Sequence, residues 1–212
     1  MGRIPAGVYG GILGNVGNVI GSTWKGKSYI KIKPLSVVQP DTEPQTDQRN
    51  KFVNVSAVAR ILLTNIVKPL WDRYVKNMSG YNRFIKYNIA LFEDSSPSPD
   101  DKFVITVGQM QGTVIDSIVL INGSCNVDFN WTDDTGRGFK KDSDQSFVVC
   151  YNSQKDEWGS SPVPTLRNSE FIRLVMPTMV VAGNKLSCYM AFKSADGALV
   201  SFTSYISGVC GE

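Results

Sequence analysis

Lys185-Leu186-Ser187-Cys188-Tyr189-Met190-Ala191-Phe192-Lys193, then Ser194-Ala195-Asp196-Gly197-Ala198, then Leu199 to Ile206, is the stretch that decides the fold class. Two runs of strand-forming residues flank an Asp-Gly pair, which readily supplies the backbone angles of a tight turn, so a β-hairpin is expected. The same pattern extends upstream. Candidate strands lie at Phe103 to Val107, Ser117 to Ile121, Asn126 to Trp131, Ser146 to Tyr151 and Glu170 to Met176, separated by turn chemistry at Asn122-Gly123, Asp133-Asp134-Thr135-Gly136 and Gly183-Asn184. Seven short strands at this spacing predict an antiparallel β-sandwich of fibronectin or immunoglobulin type over residues 103–212. The immunoglobulin hallmarks are missing. Trp131 follows Cys125 too closely, and no tyrosine stands two places before Cys188, so a fibronectin-like or generic sandwich is the better reading.

Upstream of the strands, Glu93 to Asp101 is a Ser/Pro/Asp stretch with no apolar side chain, and it marks the expected boundary, a linker over residues 93–102. Before it the apolar period is helical. Thr42 and Gln45 form a capping-box pattern with Glu43 in the first turn, and Phe52, Val55, Ala59, Leu62, Leu63 and Ile66 recur at three and four residues. Pro69 is expected to end or kink that helix. Further helical pieces are predicted over Leu70 to Asn77 and from Ser79 through Ile89. The class is therefore α+β: a glycine-rich arm and hairpin over residues 1–40, a helical region over 41–92, the linker, and the sandwich.

The arm carries eight glycines in its first 33 residues. Gly14, Gly17 and Gly21 lack the Gly-x-Gly start of a dinucleotide fingerprint, and no helix-forming run follows. Trp24-Lys25-Gly26-Lys27-Ser28-Tyr29-Ile30-Lys31-Ile32-Lys33 instead reads as strand, turn and strand, with Tyr29, Lys31 and Lys33 on one face and Ile30 and Ile32 on the other. Such an arm can fold onto its own chain, with lysines guarding its edge, or add to a neighbouring sheet.

The formal net charge of +3 hides an uneven distribution: residues 1–90 carry 13 Lys and Arg against 4 acids, residues 91–212 carry 9 against 15. That polarity suits head-to-tail contacts between copies, or a basic part facing nucleic acid. No run of eighteen apolar residues exists, so no membrane span is expected. The glycines and asparagines of residues 12–20 break any signal-peptide core, and the arm is expected to be retained. The chain has no histidine and no Cys-x-x-Cys pair, which argues against zinc. Its four cysteines read as buried thiols of a reducing cytoplasm, or as containing one disulfide such as Cys125 with Cys188.

The blocks Gly14-Asn15-Val16-Gly17-Asn18-Val19, Gly21 to Gly26, Thr42-Glu43-Pro44-Gln45 and Gln48 to Phe52 resemble an uncharacterised family of small proteins of unknown function from Bacteroides-type bacteria and their phages. Asn130-Trp131-Thr132-Asp133, Val149-Cys150-Tyr151-Asn152 and Tyr189 to Phe192 continue that resemblance. It implies a phage or prophage context and no chemistry.

Catalysis needs a nucleophile with a base, paired carboxylates in a cleft, or a metal. The acidic pairs Asp100-Asp101, Asp133-Asp134 and Asp142 with Asp144 all fall in expected loops, where turn formation explains them better than calcium binding or an aspartic-protease-like role for Asp134. The reading is a self-assembling structural protein, not an enzyme, with no cofactor or metal, made in the cytoplasm of a producing cell and carried in a virion. Its partners would be further copies and other virion proteins. The candidate interaction residues are Trp24, Lys25, Lys27, Tyr29, Lys31, Lys33, Arg49 and Arg60. Two alternatives stand beside it: nucleic-acid binding by residues 1–90, and glycan binding through Trp131, Tyr151 and Trp158.

Overall fold

The computed structural model describes residues 11–24, 26–36, 42–75, 77–92 and 99–211. The chain divides into two compact units, Met1–Thr42 and Glu43–Glu212. In the first, β1 (Gly14–Val16), β2 (Val19–Trp24) and β3 (Lys27–Ile32) form an antiparallel meander in the order β1-β2-β3. β1 was not anticipated.

The second unit begins with α1 (Glu43–Ile61), in which Val55, Val58 and Ala59 are buried. Phe52, expected on the buried stripe, is half exposed. The α1 ladder gives way at Leu62 to a π-helical turn, Leu63–Val67, and the chain bends by 73°. Pro69 lies one turn beyond, in α2 (Lys68–Trp71), and has no N–H to give to the preceding turn. α3 (Gly80–Asn88) starts where expected, with Ser79 Oγ accepting the Asn82 amide at 3.2 Å. No single helix among the described residues is long and apolar enough to cross a membrane.

The strands that follow are β4 (Ser117–Leu120), β5 (Ser124–Asn130), β6 (Gln145–Asn152), β7 (Glu157–Ser160), β8 (Phe171–Val180), β9 (Lys185–Lys193) and β10 (Ser204–Val209). They form two antiparallel sheets, β4-β5-β8 and β10-β9-β6-β7, a division into three and four strands of the fibronectin kind. The turn residues behave as read: Gly123, Gly136, Gly183 and Gly197 all take positive φ.

Two of the seven expected strands differ. Residues Phe103 to Val107 are not a strand, because side chains rather than a ladder take up their backbone groups. The Val104 amide donates to Asn88 Oδ1 at 2.8 Å, the Ile105 and Thr106 amides to Thr203 Oγ1 at 3.1 Å, and the Trp71 indole donates to Ile105 O at 2.8 Å. The last strand starts later than Leu199, since Val200 and Ser201 make only isolated bridges. The seventh strand is instead β7, whose Glu157-Trp158-Gly159-Ser160 carries a glycine and a single large apolar side chain, so no alternation reveals it.

The four-stranded sheet is buried on both faces. Phe147, Val149, Tyr151, Trp158, Tyr189 and Ala191 join a core with the helices and with Phe92, Phe103 and Ile105. Val148, Cys150, Cys188, Met190 and Phe192 join a second core with Val127, Phe129, Ile172 and Leu174 of the other sheet. Alternate residues of β6 and β9 thus serve opposite cores, which explains why both strands are apolar almost throughout. The helices and the sandwich form one three-layered unit, so the expected boundary at 93–102 falls inside it; residues 93–98 themselves lie outside the described residues.

Candidate interaction surface

The first unit positions most of the arm residues. Gly17 and Gly26 sit at its two turns with φ of +57° and +79°, the left-handed region that favours glycine. A Cβ on Gly21 would fall 1.9 Å from the Ile12 carbonyl oxygen, so only glycine lets residue 12 cross β2 so closely. Trp24 pairs with Lys27 and Ser22 with Tyr29, which puts Lys27, Tyr29 and Lys31 on one face of β3 and Ser28, Ile30 and Ile32 on the other. Every residue of β3 is exposed, Ile30 to 59% and Ile32 to 79%. β3 is also the outermost strand, with no ladder on its second edge among the described residues. Lys33 is exposed just beyond it, its amide donating to Asn18 O at 2.7 Å. Lys25 and the side chain of Trp24 lie outside the described residues. Arg49 and Arg60 are exposed on α1, in the second unit.

In that second unit, the structure gathers a charged group that sequence reasoning missed. Arg167 is fully buried at one end of the sandwich. Its Nη1 reaches Asp134 Oδ1 at 2.6 Å and also donates to Thr113 Oγ1; its Nε donates to Asp144 Oδ2 at 3.2 Å. Lys140 Nζ pairs with Asp134 Oδ2 and donates to Gly112 O at 3.0 Å. The guanidinium lies 3.9 Å over the Phe192 ring, and the Trp131 indole donates to Arg167 O at 2.8 Å. Partial burial opposes ionisation of Asp134, but the hydrogen bonds from Lys140 and Arg167 outweigh it and hold this carboxyl below the ordinary range. Two cations face two carboxylates, leaving no net charge to attract a metal. Among the described residues no group of three or more acidic or thiol side chains is arranged to hold one. Two of the other acids from the loop pairs make turns: Asp133 Oδ1 accepts the Thr135 amide at 3.0 Å and Asp100 Oδ1 the Lys102 amide at 2.9 Å. Nothing near Arg167 in sequence signals this role, since its partners lie 23 and 33 residues upstream.

The aromatics considered for sugar stacking are core residues. Trp131 is 2% exposed, Tyr151 3% and Trp158 5%, and the Tyr151 and Trp158 rings lie 4.6 Å apart. Burial, then the Asp156 carboxylate that accepts its hydroxyl, pushes Tyr151 well above the usual phenol range. Among the described residues, two open clefts can be outlined. One, of about 350 Å³, is lined by Met78, Arg83, Lys86 and Tyr87; the other, of about 260 Å³, by Asp100, Tyr151, Ser153, Lys185 and Tyr205 among others. In the second, Ser153 Oγ hydrogen-bonds Lys185 O at 3.2 Å, a backbone contact and not a base.

The family of unknown function DUF6266 matches residues 11–207, nearly the whole chain. The chain belongs to that family. In this DUF6266 member the match spans the glycine-rich arm, the helices and the sandwich together. No curated protein matches the chain. Among solved structures, the crystal structure of a β-1,2-glucanase from Parabacteroides distasonis is similar at 12% identity and a TM-score of 0.32, over 57% of this chain and 14% of the glucanase. A likeness that weak, spanning about a seventh of the enzyme, carries no argument about this DUF6266 chain.

Proposed function

We propose that the protein is a self-assembling structural subunit that joins to neighbouring copies through its N-terminal sheet. The observation that carries this reading is β3: among the described residues an outermost strand, exposed on both faces, Ile30 to 59% and Ile32 to 79%. An edge strand with free backbone groups and an apolar face is a template for strand addition. Lys27 and Lys31 on its other face set a preference for an acidic neighbour, and residues 91–212 carry the chain's acidic excess. The virion setting, with other virion proteins as further partners, rests on the resemblance to proteins of Bacteroides-type bacteria and their phages.

Sedimentation velocity of the purified chain, with and without residues 2–33, tests the proposal. Concentration-dependent association that disappears on deletion supports it; a monomer at high concentration in both forms overturns it.

A second reading draws on Lys27, Tyr29 and Lys31 sharing one face of β3, which places two cations either side of an exposed ring, the arrangement a single-stranded nucleic acid uses. Anisotropy of a labelled oligonucleotide across a salt series separates the two: binding that falls steeply with salt favours this reading, and no binding at low salt removes it.

A further inference from the structure

Cys150 and Cys188 stand opposite each other on β6 and β9, with their sulfurs 3.0 Å apart and both side chains buried. That is about 1 Å longer than a disulfide bond. Three backbone hydrogen bonds at the sheet's margins fix which way these residues face. Ser153 N donates to Lys185 O, and these two are in register, so counting back in twos makes 151 with 187 a hydrogen-bonded pair and leaves 150 with 188 a non-hydrogen-bonded one. On the far side of β9, Cys210 N donates to Asn184 O, so the Cys188 backbone bonds toward β10; on the far side of β6, Ser161 N donates to Val148 O, so the Cys150 backbone bonds toward β7. Both residues therefore turn their hydrogen-bonding groups away from each other. At such a site the Cα atoms of an antiparallel pair sit about 4.5 Å apart, inside the range a disulfide spans, and the side chains approach most closely.

We infer that Cys150 and Cys188 are a disulfide-forming pair that links the two central strands of the doubly covered sheet, with a low-molecular-weight disulfide such as oxidised glutathione as the oxidant. One cysteine thiolate attacks the glutathione disulfide, forming a mixed disulfide and releasing one glutathione thiolate. The second cysteine thiolate attacks the protein sulfur of that intermediate, closing the Cys150–Cys188 bond and releasing the second glutathione. The two thiol protons end on the two glutathione molecules, so the pair is oxidised as one glutathione disulfide is reduced. Cys125, weighed from sequence as the partner of Cys188, lies on β5 in the other sheet, at the bulge between Ser124 and Asn126.

The position also sets when the bond forms. Both sulfurs lie between the two sheets, out of reach of a tripeptide, and burial raises the Cys150 thiol, which suppresses the attacking thiolate. Exchange therefore belongs to the unfolded or opening chain, and the finished bond resists reduction while the protein stays folded. The pair is inert in a reducing cytoplasm and becomes a fixed cross-link if the chain folds in an oxidising medium.

The test uses the full chain, unfolded and refolded in a mixture of oxidised and reduced glutathione, quenched in acid, alkylated in denaturant and mapped by mass spectrometry. The expected result is one linkage, Cys150 to Cys188, with Cys125 and Cys210 alkylated, and a Tm above that of the chain refolded in reductant. Closing a loop of this length restricts the unfolded chain. A Cys150→Ser chain, or Cys188→Ala if the first does not fold, should show no difference in Tm between the two buffers. Four alkylated cysteines after oxidative refolding, or a linkage through Cys125 or Cys210, overturns the inference. Oxidation of the folded reduced chain as fast as of the unfolded one overturns the folding requirement.

Discussion

Arg167 and Asp144 meet twice: the Arg167 amide donates to Asp144 O at 2.8 Å, and the Arg167 guanidinium Nε donates to Asp144 Oδ2 at 3.2 Å. The backbone contact places the loop and the side-chain contact neutralises a fully buried carboxylate, whose Oδ2 accepts the guanidinium and the Lys141 amide while its Oδ1 has no hydrogen-bond partner among the described residues. Replacing Arg167 by Met keeps the volume but strands Asp144. The cost is expected to be about 3–5 kcal/mol, because a buried charge loses its counter-ion. Urea denaturation checks this, and Arg167→Met combined with Asp144→Asn should recover part of the loss.

The same group predicts an acid response. The Asp134 carboxyl is held below its ordinary range in the folded chain, so the folded state binds its proton less readily than the unfolded one. Its stabilisation is complete above the unfolded pKa, about 3.9, and is lost as pH falls through the lower folded value. Denaturation midpoints across the acid range should drop there for the natural chain, and drop less for Asp134→Asn, which starts lower.

Asn88 ties α3 to the segment after the linker. Its Nδ2 donates to Val104 O at 2.9 Å and to Phe84 O at 3.1 Å, while its Oδ1 accepts the Val104 amide. Asn88→Ala leaves two backbone groups of half-buried Val104 without their partners. The expected loss is about 2–3 kcal/mol by chemical denaturation, and exchange of the Val104 amide with solvent should accelerate.

For the proposed assembly surface, Ile30→Lys with Ile32→Lys keeps the alternation of β3 but charges its uncovered apolar face. Association measured by sedimentation velocity should weaken at least tenfold. The Tm of the helix-sandwich unit should stay unchanged, since β3 belongs to the other compact unit.

Much of the fold was legible because turns and alternation are local. Asp196-Gly197 announced its turn, and the alternation of Ile172, Leu174 and Met176 announced a strand open to water on one side. The helical layer's destination was not legible. β6 and β9 read as uniformly apolar, which is equally the signature of a strand between two sheets and of one roofed by helices. Residues 103–107 carried strand composition but bond to Asn88 and Thr203, contacts across 16 and 98 residues that no local pattern encodes. At the candidate surface, the alternating lysines were readable, whereas β1 is three residues long and the pairing that leaves β3 outermost is a property of the whole meander.

A sheet roofed on both sides also limits how this chain can be cut. A fragment starting at residue 103 would keep all seven sandwich strands yet strip the roof from Phe147, Val149, Tyr151, Trp158 and Tyr189, turning them into a bare greasy plate. Such a piece should clump on expression, while one starting at Glu43 should stay dispersed, so the smallest portable module of this protein includes its helices.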